Sequence, residues 1–305
     1  MANAKAKKVF NELIASCDTF LFDCDGVLWQ GYNAIPGAAA VVNFLKKSGK
    51  QVIFVTNNST KSRDKYVAKL SSLGFPSERK NTFGTAYTSA KYLKDIAKIN
   101  GKVYVIGNEG IGEELDNLGI EHLGIGPDDT STSQDYDDIK RCELQENVEA
   151  VLVGFDGHIS FSKLIKAGSY LRDPNCIFVA TNDDSRVPLG DSDHIVPGTG
   201  AMVKSVCIVA GREPDVWCGK PGKLMFECIQ KSHDIDPDQT VMVGDNMKTD
   251  IVFGKQNGLK TLLVGTGVAT EETIKAILQN SDPALKEQTP DYVLPSLGDW
   301  ADFCS

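Results

Sequence analysis

The sequence predicts an α/β protein that is built mainly on a parallel sheet. Short apolar runs recur along the chain and end in Gly, Asp, Asn or Thr. Helix-compatible segments lie between these runs, which is the alternation that produces parallel strands. The chain has 305 residues, which is long for one hydrophobic core. We therefore expect two domains, or one domain with a large insertion.

The predicted strands are apolar on consecutive residues, as expected of strands that are covered on both faces. They comprise residues 20–22, 52–55, 103–106, 151–153, 177–179, 241–243 and 262–264. The predicted helices comprise residues 37–47, 61–72, 85–98 and 223–232. Residues 124–146 are acidic and polar with little periodicity, so we expect a surface excursion within the second domain.

Composition limits the partners and the compartment. A formal net charge of -9 argues against broad attraction to nucleic acid or to anionic membranes. Eight scattered cysteines without C-x-x-C spacing indicate reduced and mostly buried thiols. Residues 1–8 lack the apolar core of a secretory signal, and no window has the apolar length of a membrane span. The cluster of Lys5, Lys7 and Lys8 is expected to be a solvated tail. We expect a cytoplasmic protein, with the nucleus as a second compartment.

Two carboxylates follow the first predicted strand. If the chain stays extended after residue 22, Asp23 and Asp25 point to the same side and repel each other. A cation or a shared proton would relieve that repulsion, which favours a site for phosphate chemistry. The alternative for these residues alone is a strand followed by an ordinary Asp/Gly turn.

Polar donors follow the next predicted strand. Thr56, Asn57 and Asn58 offer a hydroxyl and two amides at a strand-to-helix junction, where they suit phosphoryl oxygens. The alternative is an ordinary helix N-cap in this segment.

The third and fourth candidates lie late in the chain. Lys220 stands between Gly219 and Pro221 in a loop without P-loop spacing, so alone it is weak support for a site. Asp245 follows a buried strand, where a hard-cation ligand is useful, and Asp250 is placed to support the lysine or the ligand shell.

Taken in order, these four motifs resemble those of the haloacid dehalogenase-like phosphatase superfamily. Further segments resemble its 4-nitrophenylphosphatase and phosphoglycolate phosphatase branch over nearly the whole chain. They are Phe20-Leu-Phe-Asp-Cys-Asp-Gly-Val-Leu-Trp29, Phe54-Val-Thr-Asn-Asn-Ser59, Pro197-Gly-Thr-Gly200, Gly211-Arg-Glu-Pro214 and Gly244-Asp245. One departure is the Asn-Met-Lys run at residues 246–248, where many members carry an Arg or another polar residue.

The resemblance implies a Rossmann-like parallel-sheet core with a large inserted α/β cap domain. The core would comprise residues 1–99 and 197–305, and the cap, which selects the substrate, residues 100–196. Within the cap, residues 155–158, with His158, and residues 181–184 are the segments expected to face the substrate.

The resemblance also implies a mechanism for small phosphate monoesters, phosphoglycolate-like metabolites in the cell and 4-nitrophenyl phosphate in vitro. Asp23 would attack phosphorus to form an aspartyl-phosphate, and Asp25 would act as acid and then base. Mg2+ would be held by the Asp23 carboxylate, the Asp25 carbonyl and Asp245. Lys220 would supply positive charge.

The remaining roles are supporting ones. Thr56, Asn57 and Asn58 would bind the phosphate with Lys220, and Asp250 would support the lysine or the metal shell. Pairing of two chains through their caps is a further expectation from the resemblance.

Four alternatives stay open at this point. A signalling receiver also combines clustered acids, a Thr and a Lys around Mg2+, but it needs no acid at the position of Asp25. A dehalogenase would use Asp23 without the second acid or a metal. A dinucleotide-binding oxidoreductase would carry G-x-G-x-x-G after the first strand, and it is absent there. Within the family, a sugar-phosphate or pyridoxal-phosphate phosphatase is the other assignment.

Overall fold

The computed structural model describes residues 2–128, 142–187, 193–279 and 282–304. Its strands, in chain order, are β1 Thr19–Phe22, β2 Trp29–Gln30, β3 Asn33–Ala34, β4 Gln51–Thr56, β5 Thr82–Gly84, β6 Lys102–Ile106, β7 His122–Leu123, β8 Val148–Val153, β9 Ile177–Ala180, β10 Arg186–Val187, β11 Val196–Pro197, β12 Val216–Trp217, β13 Thr240–Gly244, β14 Lys260–Val264 and β15 Tyr292–Leu294.

The α-helices connect and cover these strands. They are α1 Ala2–Ser16, α2 Ala38–Lys47, α3 Arg63–Ser72, α4 Thr85–Lys91, α5 Glu109–Asn117, α6 Phe161–Tyr170, α7 Thr199–Ala210, α8 Lys223–Ser232, α9 Val252–Gln256 and α10 Glu271–Gln279. Two π-helical turns, Tyr92–Ile96 and Met247–Ile251, adjoin α4 and α9, and short 3-10 helices cover Arg79–Asn81, Pro237–Gln239, Pro283–Gln288 and Leu297–Phe303.

Six parallel strands form the core sheet, in the order β15-β14-β13-β1-β4-β5. Successive residues of β1 face opposite sides: Phe20 and Phe22 pack in the cluster that includes α1 and α2, whereas Leu21 packs in the cluster that includes α8. A sheet with helices on both faces is the predicted Rossmann-like arrangement, and it explains why β1 is apolar on the three consecutive residues 20–22.

Five parallel strands form the cap sheet, in the order β12-β9-β8-β6-β7. Helices α6 and α7 contribute to the apolar cluster on one face, and α4 and α5 to the cluster on the other. The predicted return to the core at residue 197 is wrong, because α7 packs with the cap and β12 completes its sheet. The chain returns to the core only after Trp217.

The N-terminal segment differs from its prediction. The cluster of Lys5, Lys7 and Lys8 is predicted to be a solvated tail, but these residues belong to α1. Ala6, Val9, Phe10 and Leu13 recur at helical spacing and are buried against the core sheet. The three lysines are exposed, so their solvation was predicted correctly and their helical structure was not.

All eight cysteines are free, and six are buried, as predicted. Among the described residues, no helix combines the length and the apolarity that a membrane crossing requires. Of the acidic stretch 124–146, residues 129–141 lie outside the described residues.

Candidate active site

The site lies where the order of the core sheet reverses around β1. Asp23 follows β1, Thr56 is the last residue of β4, and Asp245 follows β13, and these three strands are neighbours. Ligands of open parallel sheets bind outside the carboxyl ends of the strands at such a switch point. The fold therefore gathers three predicted site residues at one edge.

Lys220 reaches this edge from the loop that follows β12. Its Nζ lies 2.5 Å from Oδ1 of Asp23 and 2.7 Å from Oδ1 of Asp250, and it donates to the Val55 carbonyl at 2.9 Å. The Lys220 side chain is buried, so the two carboxylates and the carbonyl replace its water shell. The lysine is thus locked beside the predicted nucleophile.

Three buried carboxylates cluster here, and two of them, those of Asp23 and Asp250, contact the ammonium group. Oxygens of Asp23, Asp245 and Asp250 all lie within 4.8 Å of one another. Burial raises the pKa of Asp23 well above its usual range, against the pull of Lys220, and burial together with Asp250 raises the pKa of Asp245 to about 7. Burial alone would lower the pKa of Lys220, but Asp23 and Asp250 outweigh it and raise that pKa.

The charges of this cluster test whether a cation fits the site. One ammonium group, that of Lys220, contacts the cluster, whereas three carboxylates belong to it, so one lysine cannot neutralise all of their negative charge. Buried carboxylate oxygens are the donors that Mg2+ prefers. The donor set therefore fits a hard divalent cation.

Two glycines make room for the Asp245 carboxylate. Gly26 has a φ of +84°, and a Cβ there would lie 2.5 Å from Oδ2 of Asp245; at Gly267 the distance would be 1.8 Å. The same oxygen accepts a hydrogen bond of 2.7 Å from the Val268 amide. The loop after β14 thus fixes one oxygen of this acid.

Asp250 is held by its own loop. Its Oδ2 accepts hydrogen bonds from the amides of Asp245 at 3.2 Å and Asn246 at 3.1 Å, while Oδ1 faces Lys220. Both oxygens are therefore engaged with the protein, which is the arrangement of a supporting residue.

Asp25 lies in a different environment from Asp23. β1 ends at Phe22, and Asp25 is partly exposed, with its Oδ1 accepting a hydrogen bond of 2.7 Å from Nε1 of Trp29. Its carboxylate does not belong to the acidic cluster. Trp29 had no role in the sequence-based interpretation, although its spacing of four residues from Asp25 was visible in the motif.

The Thr-Asn segment, residues 56–58, makes hydrogen bonds that position the site. The Asn57 side chain accepts from the Lys220 amide at 2.8 Å and donates to the Lys220 carbonyl at 3.0 Å. Oδ1 of Asn58 accepts from the amide and the hydroxyl of Thr60, and Oγ1 of Thr56 accepts from the Asn58 amide. Phosphate binding by this segment stays a prediction, and the structure gives both asparagine side chains positioning contacts.

The two suspected cap segments differ. Asp156 is fully buried and pairs with Lys163 inside the cap at 2.5 Å, and His158 is exposed. In the second segment, Oδ2 of Asp184 accepts from Asn182 at 2.7 Å and from Asn57 of the core at 3.2 Å. Residues 181–184 therefore touch the site, whereas Asp156 stabilises the cap.

Buried acids, a locked lysine and a parallel-sheet switch point define a class of protein, the hydrolases that act on phosphate through carboxylates and a cation. Sequence comparison agrees. A profile described as haloacid dehalogenase-like hydrolase matches residues 20–121, and one described as HAD-hydrolase-like matches residues 217–300.

Individual relatives cover almost the whole chain. Glycerol-3-phosphate phosphatase of Gallus gallus is 43% identical over 289 residues, 94% of this chain and 92% of the relative. The 4-nitrophenylphosphatase of Schizosaccharomyces pombe is 39% identical over 97% of each chain. Phosphoglycolate phosphatase 2 of Arabidopsis thaliana is 41% identical over 87% of this chain and 88% of its own.

Solved structures agree with these relatives. The p-nitrophenyl phosphatase of Archaeoglobus fulgidus matches with a TM-score of 0.76 and 31% identity, over 94% of this chain and 99% of its own. A glycerol phosphate phosphatase of Mycobacterium tuberculosis in complex with magnesium matches with a TM-score of 0.74 and 26% identity, over 94% and 78%. The chain belongs to the haloacid dehalogenase-like hydrolase family, and it is a phosphatase.

Proposed function

We propose that the protein hydrolyses small phosphate monoesters with Mg2+ through an aspartyl-phosphate on Asp23. The observation that supports this most is the contact of 2.5 Å between Lys220 and Asp23 inside the buried acidic cluster. A dianionic phosphate repels a carboxylate, so this chemistry needs fixed positive charge more than it needs a strong nucleophile.

The residues divide the work in two steps. An Asp23 oxygen attacks phosphorus while the bond to the leaving oxygen breaks, and a proton passes from Asp25 to that oxygen. Water then attacks the aspartyl-phosphate, its proton passes to Asp25, and inorganic phosphate leaves as the Asp23 carboxylate is restored.

Asp23, the Asp25 carbonyl and Asp245 would hold Mg2+, with Asp250 in support. When bound, Mg2+ supplies charge neutralisation to the phosphoryl oxygens. The magnesium complex of the Mycobacterium tuberculosis relative supports this choice of metal. Asp245 has one oxygen held by Val268, whereas Asp250 has both oxygens engaged, which favours Asp245 as the ligand.

For the substrate, we favour glycerol phosphate over phosphoglycolate. One cap residue that contacts the core motif at residues 54–59 is an acid, Asp184, and it follows a second acid, Asp183. Such a surface accepts hydrogen bonds from hydroxyl groups and repels a second carboxylate on the leaving group. Glycerol-3-phosphate phosphatases are also among the relatives. Sugar phosphates and pyridoxal phosphate remain the alternatives within the family.

The alternative of a phosphorylated receiver is not supported, since the relatives that cover most of the chain are phosphatases. The decisive assay measures kcat/KM with Mg2+ for glycerol 3-phosphate, phosphoglycolate, a sugar phosphate, pyridoxal phosphate and 4-nitrophenyl phosphate. We expect glycerol 3-phosphate to rank first among the metabolites, and a higher value for phosphoglycolate would overturn the ranking.

The nucleophile has its own test. We expect Asp23→Asn to reduce metal-dependent turnover by at least about 10³-fold, because the amide cannot form the covalent intermediate. Mass spectrometry excludes deamidation of the variant. Appreciable turnover by the intact Asp23→Asn variant would contradict the assignment.

Two broader expectations are kept as proposals. We infer a cytoplasmic protein, which eight free cysteines support, and cell fractionation tests it.

We also infer a homodimer through the cap, where pairing would cover the exposed Ile208 and Val209 of α7. Light scattering on the purified protein tests the dimer, and a monomeric mass would contradict it.

A further inference from the structure

We propose that Trp29 is a positioning residue for Asp25, whose indole N–H holds one carboxylate oxygen so that the other carries the proton to the leaving group. The inference rests on the proposed role of Asp25 as the general acid. It starts from the hydrogen bond of 2.7 Å between Nε1 of Trp29 and Oδ1 of Asp25.

The backbone fixes this contact. The amides of Leu28 and Trp29 both donate to the Cys24 carbonyl, at 2.9 Å and 3.3 Å, and the Gly26 amide donates to the Trp29 carbonyl at 2.7 Å. The chain therefore turns back on itself between Asp25 and Trp29. This turn brings the indole over the acid, and Trp29 is fully buried there.

A cation lies against the same indole. Nζ of Lys69, on α3, is 4.1 Å from the ring centroid and donates to the Gly31 carbonyl at 3.1 Å. The ring of Phe75 packs against the indole with centroids 6.4 Å apart. A cation over the face attracts the π electrons, which makes the N–H a stronger donor.

The chemistry of the indole suits this role. Trp has a donor and no acceptor, so it cannot take the proton from Asp25. Among the described residues, no hydrogen bond to Oδ2 of Asp25 is found, and that oxygen is left for the proton. When the bond between phosphorus and the leaving oxygen breaks, the proton moves from Oδ2 to that oxygen. The N–H then stabilises the carboxylate that remains.

A buried tryptophan is also a core residue, so the test separates positioning from packing. A poor alkoxide leaving group needs the acid, whereas 4-nitrophenolate leaves without it. The ratio kcat/KM reports the steps up to departure of the leaving group and not the later hydrolysis of the intermediate. Loss of packing would lower kcat/KM for both kinds of substrate equally.

The experiment compares Trp29→Phe with wild type on glycerol 3-phosphate and 4-nitrophenyl phosphate with Mg2+. We expect kcat/KM to fall by about 10- to 100-fold for the alkyl ester and by less than about 3-fold for the aryl ester. Phe75→Leu is the matched control, because it disturbs the same aromatic packing without removing an N–H, and its effect should be equal on both substrates. An equal loss on both substrates in Trp29→Phe would overturn the proposal.

Two further variants keep the test decisive. If Trp29→Phe does not fold, Lys69→Met removes the cation and should lower the alkyl value selectively by about 3-fold; no selectivity would count against the proposal. Asp25→Asn should show a larger selective loss. If Asp25→Asn shows no selective loss, the general-acid role of Asp25 is overturned together with the Trp29 proposal. If Asp25→Asn shows a selective loss and Trp29→Phe does not, only the Trp29 proposal is overturned.

Discussion

Glu114, at the boundary between core and cap, offers a sharp test of what holds the two together. This residue of α5 is fully buried. Its carboxylate accepts three hydrogen bonds from Arg63: from the backbone amide at 2.7 Å, from the side-chain Nε at 3.0 Å and from Nη2 at 2.9 Å. Arg63 begins α3 and also lies over the Tyr87 ring, 3.4 Å from its centroid. A buried charge pair thus joins a core helix to a cap helix.

Glu114→Gln keeps the shape and removes the charge. The side chain of Arg63 is only 13% exposed, so its guanidinium would face a neutral amide with little access to water. Removing one partner of such a pair costs about 3–5 kcal/mol. Because the amide oxygen still accepts one hydrogen bond, we expect the free energy of unfolding to fall by about 3 kcal/mol, at the low end of that range.

Glu109→Gln, on the same helix, is the matched control. Glu109 pairs with Lys65 at 3.2 Å, but its side chain is 79% exposed, so its loss should cost less than about 1 kcal/mol. Urea unfolding, followed by circular dichroism and tryptophan fluorescence, measures both variants. If Glu114→Gln costs no more than Glu109→Gln, the reasoning from burial is refuted. The double variant Arg63→Met/Glu114→Met should recover much of the loss.

Two further variants probe the metal site and the cap. In Gly267→Ala the new Cβ would meet the Asp245 carboxylate, so we expect the Mg2+ concentration for half-maximal activity to rise at least about tenfold, or ~1.4 kcal/mol. Gly157→Ala is the control, because the space around Gly157 is open, and it should leave that Mg2+ concentration unchanged. The same Mg2+ concentration for both variants would count against Asp245 as the metal ligand. Asp184→Asn keeps an acceptor for Asn57 but removes the charge, so the kcat/KM ratio of phosphoglycolate to glycerol 3-phosphate should rise several-fold, about 1 kcal/mol. An unchanged ratio would remove Asp184 from substrate selection.

The sequence was sufficient for seven of the fifteen described strands, and it was insufficient for assigning strands to one sheet or the other. Apolar runs predicted seven strands that the structure contains, since burial on both faces leaves a continuous signal. The cap boundary was missed because β12 has only two residues and because both sheets are parallel. Local pattern cannot tell which of two similar sheets such a strand joins.

The site shows the same division. Asp23 and Lys220, separated by 197 residues, were predicted as neighbours through the family's motif order rather than through any local pattern. The contacts of Asn57 with Asp184 and of Arg63 with Glu114 join the core to the cap. These contacts depend on how the core and the cap pack against each other, and the periodicity within either segment cannot predict that packing.

Asp23 and Asp25 lie in different surroundings because the chain does not stay extended after β1. An extended chain would place Asp23 and Asp25 side by side, where their repulsion would couple the two protonation states. Instead, the turn that includes Gly26 and closes on Trp29 sends one acid to a lysine and the other to an indole. In the proposed mechanism, Asp23 attacks while Asp25 still holds its proton. Separate partners for the two carboxylates satisfy both requirements at once, and a single shared environment would not.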